Sequence, residues 1–247
     1  MNLRRAMGSS LAKALPSRPV FLPILGGPLR GRLFCASYSL RPAYLVGTYE
    51  RPVAQAIVAN LRPGAVAYDV GANIGYLSLI MARQVGRKGQ VYAFEPSPSS
   101  YRILETNGQL NRKLPLRGFP VAVADRSGVE SFSFFQYDLV SRLGDCSRRY
   151  DDCTVIKVIV EPLDRMIATL GLRLPDFVKI DVEGAEERVL EGMRDTLLEA
   201  HPTLLLETHT DELERSTAAR LQEIGYCVTV LSGKPPRHLL AVWPDSP

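Results

Sequence analysis

Asp69-Val70-Gly71-Ala72-Asn73-Ile74-Gly75-Tyr76 joins an apolar run, Val66 to Val70, to Leu77 to Val85, where Leu79, Ile80 and Ala82 recur at helical spacing. The order is strand, glycine-bearing turn, helix. Gly71 and Gly75 permit positive φ and close backbone approach, and Asn73 is the side-chain-bearing type most tolerant of left-handed geometry. The alternation continues downstream. Strands are expected at Val91 to Phe94, Leu116 to Val123, Phe177 to Ile180 and Thr203 to Leu206. Helices are expected at Ser99 to Asn111, Leu163 to Leu170, Ala185 to Leu198 and Leu213 to Ile224, with a further one before the turn at Glu50 to Leu61. Such alternation predicts an α/β fold, a doubly wound parallel sheet covered on both faces. Two regions depart from it. Val129 to Phe135 and Thr154 to Val160 alternate at period two, as antiparallel strands do, around a polar loop at Ser141 to Asp152. Tyr226 to Leu231 and Leu239 to Trp243 are separated only by Gly233 to Pro236, too short for a crossover helix, so they form an antiparallel hairpin.

In open α/β sheets ligands bind beyond the carboxyl ends of the strands. The residues there are Asp69 to Gly75, Glu95, Ala122 to Asp125, Asp181 to Gly184 and Glu207 to His209, and acids dominate. The turn is not G-x-G-x-x-G, and a carboxylate at Asp69 would repel a pyrophosphate, which argues against a nicotinamide-dependent oxidoreductase. It suits a cofactor with a cationic amino-acid end, and S-adenosylmethionine carries an ammonium and a sulfonium but no phosphate. Glu95, 26 residues after Asp69, stands at the end of the next strand, where a carboxylate accepts hydrogen bonds from ribose hydroxyls. The competing reading makes Asp69 a cap of the following helix and Glu95 a surface acid. The cofactor contacts expected on the first reading are Asp69, Gly71, Ala72, Asn73, Gly75, Glu95, Pro96 and Ala122.

Asp69 to Gly75, Ala93-Phe94-Glu95-Pro96, Lys179-Ile180-Asp181-Val182-Glu183-Gly184-Ala185-Glu186 and Leu205-Leu206-Glu207-Thr208-His209 resemble, in this order, the FkbM-type S-adenosylmethionine-dependent methyltransferases. The resemblance covers about residues 45 to 231. It implies a class I methyltransferase fold, Rossmann-like, of seven strands with a C-terminal antiparallel hairpin. It also implies O-methylation of a hydroxyl on a small molecule or saccharide. A hydroxyl is a poor nucleophile, so a base within reach helps. The expected catalytic groups are Asp181, Glu183, Glu207 and His209, with His209 and Asp181 the leading bases. Alternatively Asp181, Glu183 and Glu207 hold a divalent cation such as magnesium that acidifies the acceptor. A third reading places Asp181 and Glu183 as acids stabilising a helix N-terminus. Lys179 pairs with a neighbouring acid, and Glu50 either closes over the cofactor or starts a helix.

The chain has 247 residues, 46% apolar and 23% charged, with a mean hydropathy of −0.01, which excludes wholesale disorder and a polytopic membrane protein. The net charge of +4 is divided unevenly. Arg4, Arg5, Lys13, Arg18, Arg30, Arg32 and Arg41 precede the first acid, Glu50, so residues 1–49 carry +7 and the rest carry −3. That is not the charge pattern of a dedicated nucleic-acid binder. A basic extension over residues 1–45 and a methyltransferase domain over 46–247 are expected. Within the extension, residues 1 to about 20 read as a tail or targeting segment, and Arg30 to Arg41 as a cover or acceptor-binding surface. Cys35, Cys146, Cys153 and Cys227 form no C-x-x-C and read as reduced thiols of a cytoplasmic protein. No apolar run is long enough to span a membrane. The alternatives are an RNA or protein methyltransferase of the same fold and a non-catalytic binding domain of that fold, and sequence leaves the oligomeric state open.

Overall fold

The computed structural model describes residues 20–36, 41–135, 141–144, 153–231 and 237–244. Its centre is a seven-stranded sheet of β3 (Val66–Val70), β4 (Gln90–Phe94), β5 (Leu116–Phe119), β10 (Phe177–Ile180), β11 (Thr203–Thr208), β12 (Cys227–Val230) and β13 (Arg237–Val242). The spatial order is β12-β13-β11-β10-β3-β4-β5. All pairings are parallel except those of β13, which runs antiparallel to β11 and β12 with Cys227 opposite Val242. The expected terminal hairpin is therefore present, and its tip lies outside the described residues. β3 is buried throughout. Its side chains alternate between faces: Val66, Tyr68 and Val70 enter one apolar cluster, and Ala67 enters the other. Asp69 shares the face of Ala67, which lies under α3 (Tyr76–Val85).

The third strand is shorter than expected. β5 stops at Phe119 because Pro120 has no N–H to continue the ladder. The chain then turns away, and β6 (Ala122–Val123) pairs with β9 (Cys153–Glu161) in a second sheet of order β6-β9-β7-β8. β7 (Gly128–Phe135) and β9 form the long antiparallel pair foreseen from period two, from Gly128 opposite Val160 to Phe135 opposite Cys153. Ser141–Leu143, expected as loop, is β8 on the free edge of β7, and residues 145–152 lie outside the described residues.

Helices α4 (Pro98–Leu110), α5 (Leu163–Leu170) and α8 (Asp211–Glu223) match their sequence patterns to within two residues. The helix expected over 185–198 is two helices, α6 (Glu186–Gly192) and α7 (Arg194–Ala200). Gly192 sits against the backbone, so a Cβ there would lie 2.0 Å from Ala124 O. The Asp164 carboxylate accepts from Asp195 N at 2.9 Å and Thr196 N at 3.0 Å, so a side chain of α5 caps the new helix start.

Ahead of the sheet lie an antiparallel hairpin of β1 (Val20–Pro23) and β2 (Leu33–Ala36), then α1 (Pro42–Val46) and α2 (Arg51–Asn60). Ile24, Leu29, Phe34 and Tyr44 are buried in one cluster with Ile57, Leu79 and Phe177. The Phe34 ring lies 5.4 Å from Tyr44 and 5.5 Å from Tyr76. Residues from Val20 onward thus contribute to the same core as the sheet.

Candidate active site

The turn after β3 is closed against β4. Gly71 N and Ala72 N both donate to Phe94 O at 3.0 Å. Gly71, Asn73 and Gly75 adopt φ of 77°, 49° and 82°. At Gly71 no side chain fits, because a Cβ would meet Asp181 O at 1.8 Å. Two ends of neighbouring strands touch here through backbone alone, which leaves an open floor for a ligand. Glu95, 5% exposed, accepts from Asn73 N and from Ser97 N, each at 2.8 Å. Burial pushes its carboxyl up to about 7 despite both donors.

A cleft of about 620 Å³ opens above this turn. Gly71, Asn73, Glu95, Pro96, Asp181 and Glu183 form its polar side. Val121, Ala122, Phe132 and Leu143 form an apolar wall, and Phe132 and Leu143 belong to the small sheet. Among the described residues, three carboxylates and no Lys or Arg face this space. A second, smaller hollow of about 310 Å³ shares Gly71, Asn73 and Asp181 with it and adds Tyr44, Tyr49, Glu50, Ala72, Tyr76 and Lys179.

Beneath the turn, Lys179 Nζ lies 3.3 Å from Asp69 Oδ1 and 3.4 Å from Asp181 Oδ2, and donates to Gly71 O at 3.0 Å. Asp69 also accepts from Ser78 Oγ at 2.6 Å. Burial alone would lower the Lys179 ammonium, but Asp69 and then Asp181 outweigh it and hold it above the usual lysine range. Asp181 is pushed up to about 7, first by burial, against the pull of Lys179. Beside it, His209 Nε2 lies 3.0 Å from Glu183 and 3.4 Å from Glu207, and its Nδ1 lies 3.5 Å from Glu186. Hydrogen bonds to Glu183, Glu186 and Glu207 raise His209 to about 12, so it is an imidazolium at neutral pH. Burial would raise Glu207, but bonds from His209 and His238 overcome it and hold it at about 2.

The model of the methyltransferase FkbM domain matches residues 69–227. The chain belongs to that family. Among relatives, 31-O-demethyl-FK506 methyltransferase FkbM of Streptomyces tacrolimicus is 30% identical over 163 residues, 55% of this chain and 62% of that protein. Hexuronic acid methyltransferase AglP of Haloferax volcanii is 30% identical over 146 residues, 58% of this chain and 56% of that protein. The chain therefore spans less than two thirds of either. A solved FkbM methyltransferase from Methylobacillus flagellatus KT superposes with a TM-score of 0.55 at 16% identity, covering 78% of this chain and 59% of that one, which establishes a shared fold.

In this FkbM-family chain, Gly71, Asn73, Glu95, Pro96 and Ala122 line the larger cleft, and Ala72 lines the smaller hollow. Gly75 instead starts α3 and packs on Leu104. Asp69 lies below the floor, 0% exposed, because strand alternation turns it toward α3. Asp181 and Glu183 reach the cleft, whereas Glu207 and His209 stand behind them and connect through Glu183. Asp181, Glu207 and His209 bring one ligand-type atom each within 4.8 Å of one another, a set able to hold a divalent cation if His209 loses its proton. Glu183, also expected as a metal ligand, is outside that trio. Sequence reading missed His238, Glu186 and the rings of Tyr44, Tyr49 and Tyr76. The K-I-D-V-E-G-A-E string contained the signal for Glu186, but nothing local marks His238, which reaches Glu207 from β13. Of Arg30, Arg32 and Arg41, expected as an acceptor-binding surface, Arg41 directly precedes α1, whose Tyr44 lines the smaller hollow. The loop carrying Arg30 and Arg32 is instead held by Arg83, in the last turn of α3, whose guanidinium donates to Pro28 O. From Tyr76 to Arg83 the helix rises about 10 Å away from the cleft.

Proposed function

We propose that this chain is an S-adenosylmethionine-dependent methyltransferase that methylates a hydroxyl on a small molecule or saccharide. The observation that carries the reading is the cleft at the glycine turn, faced among the described residues by Glu95, Asp181 and Glu183 and by no lysine or arginine. Carboxylates in their ionised form there would repel a phosphate-bearing cofactor. When bound, S-adenosylmethionine supplies a methyl group already activated on a sulfonium. Glu95 suits its ribose hydroxyls, and the apolar wall of Val121, Phe132 and Leu143 suits its base. Glu50, in the smaller hollow beside Ala72, suits the ammonium.

The chain's remaining task is to orient the acceptor and take its proton, an alignment effect worth several kcal/mol. Asp181 is the group for the proton. It faces both hollows, and a carboxyl near 7 is matched to neutral pH. His209 already bears a proton and fixes Glu183 and Glu207 instead. A second reading follows from Asp181, Glu207 and His209 lying within 4.8 Å: a divalent cation held there would acidify the acceptor hydroxyl.

Calorimetry with S-adenosylmethionine tests the cofactor. Glu95→Ala weakens binding at least tenfold, and equal affinity in both proteins removes the assignment. A labelled-methyl screen of hydroxylated metabolites and saccharides, with and without chelator, tests the acceptor class. Chelator-insensitive transfer eliminates the metal reading.

A further inference from the structure

The basic residues nearest the hairpin surround an unusual amount of exposed apolar surface. Leu25 is 67% exposed, Val46 51%, Phe21 49% and Leu33 44%. Scattered apolar residues are ordinary on a protein surface, but these four share one short structural unit. Leu25 N donates to Leu45 O at 2.7 Å, which sets Leu25 beside Val46. Leu33 pairs with Pro23 in the hairpin, and Phe21 lies two residues from Pro23 on the same face.

Cations come from three separate elements. Arg30 and Arg32 occupy the loop between β1 and β2, where Ile24 N donates to Arg32 O and Gly31 N to Ile24 O. Arg83 reaches the same loop from α3. Exposed Arg112 and Lys113 follow Asn111, whose side-chain amide donates to Leu33 O at 2.8 Å. None of these five cations has an ion pair among the described residues. On the neighbouring elements, the acid Glu50 lines the smaller hollow, and exposed Glu105 lies on α4.

We propose that this face docks on an anionic lipid bilayer. Leu25, Val46, Phe21 and Leu33 enter the interface while the surrounding arginines and lysines meet lipid phosphates. No helix among the described residues is long and apolar enough to cross a membrane, so the contact is peripheral. The cleft opens at the other end of α3 and stays accessible. The proposal does not depend on what the cleft binds.

Flotation of the full chain with vesicles of phosphatidylcholine, with and without phosphatidylglycerol, tests it. The wild type floats with the anionic vesicles and not with the neutral ones, and about 1 M salt weakens the association. Arg30→Gln, Arg32→Gln and Lys113→Gln together reduce affinity about a hundredfold, at roughly fivefold per residue. Leu25→Ser with Val46→Ser also loses binding while its thermal unfolding stays like that of the wild type. Absence of wild-type binding overturns the proposal, as does retention of wild-type affinity in either variant. Dimerisation by light scattering without vesicles, abolished by Leu25→Ser with Val46→Ser, overturns it in favour of a second copy of this chain.

Discussion

Helix α3 starts after Gly75, beside a cleft faced by Glu95, Asp181 and Glu183, and carries Arg83 in its last turn, beside the loop that holds Arg30 and Arg32. The two ends follow different chemical rules. At the cleft end the charges are buried or half-buried and engaged with one another: Lys179 between Asp69 and Asp181, His209 among Glu183, Glu186 and Glu207. At the hairpin end they are exposed, of one sign and without ion pairs among the described residues. Buried charges of mixed sign hold a fixed geometry and tune pKa values, whereas an exposed surface of one sign attracts an opposite surface at a distance. The division of +7 against −3 along the chain is thus partly a division in space.

The sharpest test of the cleft is Asp181→Asn. Turnover falls by about 10²- to 10⁴-fold while S-adenosylmethionine affinity stays within about threefold, because the change removes the proton acceptor and keeps its shape. Turnover of the wild type falls as pH drops through about 7, where Asp181 becomes protonated. A pH-independent rate across that range breaks the assignment. Lys179→Met is expected to destabilise the fold by about 3–5 kcal/mol in denaturant titration, since it leaves the buried Asp69 without its cation. A variant as stable as the wild type means that the pair does not organise the cleft floor.

Glu95 gives a smaller, pH-dependent effect. Its folded-state carboxyl lies near 7, above the ordinary value of 4.5, so the native state binds the proton more tightly than the unfolded chain. Its contribution to stability is fully present below about 4.5 and is lost as pH rises through 7, by up to about 3 kcal/mol. Glu95→Gln removes that slope, which denaturant unfolding at pH 5 and pH 8 reads directly. The smallest effect belongs to the hairpin end. Arg30→Gln with Arg32→Gln leaves the acceptor KM unchanged, because both sit at the remote end of α3. A raised KM would merge the two regions that the structure separates.

Much of this arrangement was legible in local pattern. Strand ends at Val70, Phe94 and Ile180 follow from short apolar runs halted by acids, turns and prolines, whereas β11 continues two residues past the expected Leu206 to Thr208. That period alone located Gly71, Glu95 and Asp181 on one rim. Local pattern failed where a partner from far along the chain decided the outcome. Helix 185–198 broke because Gly192 meets Ala124 and Asp164 caps Arg194-Asp195-Thr196 from another helix. Ser141–Leu143 became a strand because β7 offered an open edge.

The amino-acid sequence by itself determined the strand-helix alternation, the terminal hairpin and the acidic rim, because each depends on residue types repeated at fixed local spacing. Only the tertiary structure decided which of those acids see solvent. Alternation on β3 turns Asp69 inward to Ser78 and Lys179, and the small sheet brings Phe132 and Leu143 over the cleft from more than fifty residues beyond the glycine turn. It likewise decided that His209, expected from sequence as a leading base, is held as a cation by three carboxylates from two segments. Proton affinity is a property of surroundings, and those surroundings exist only once distant strands and helices have packed.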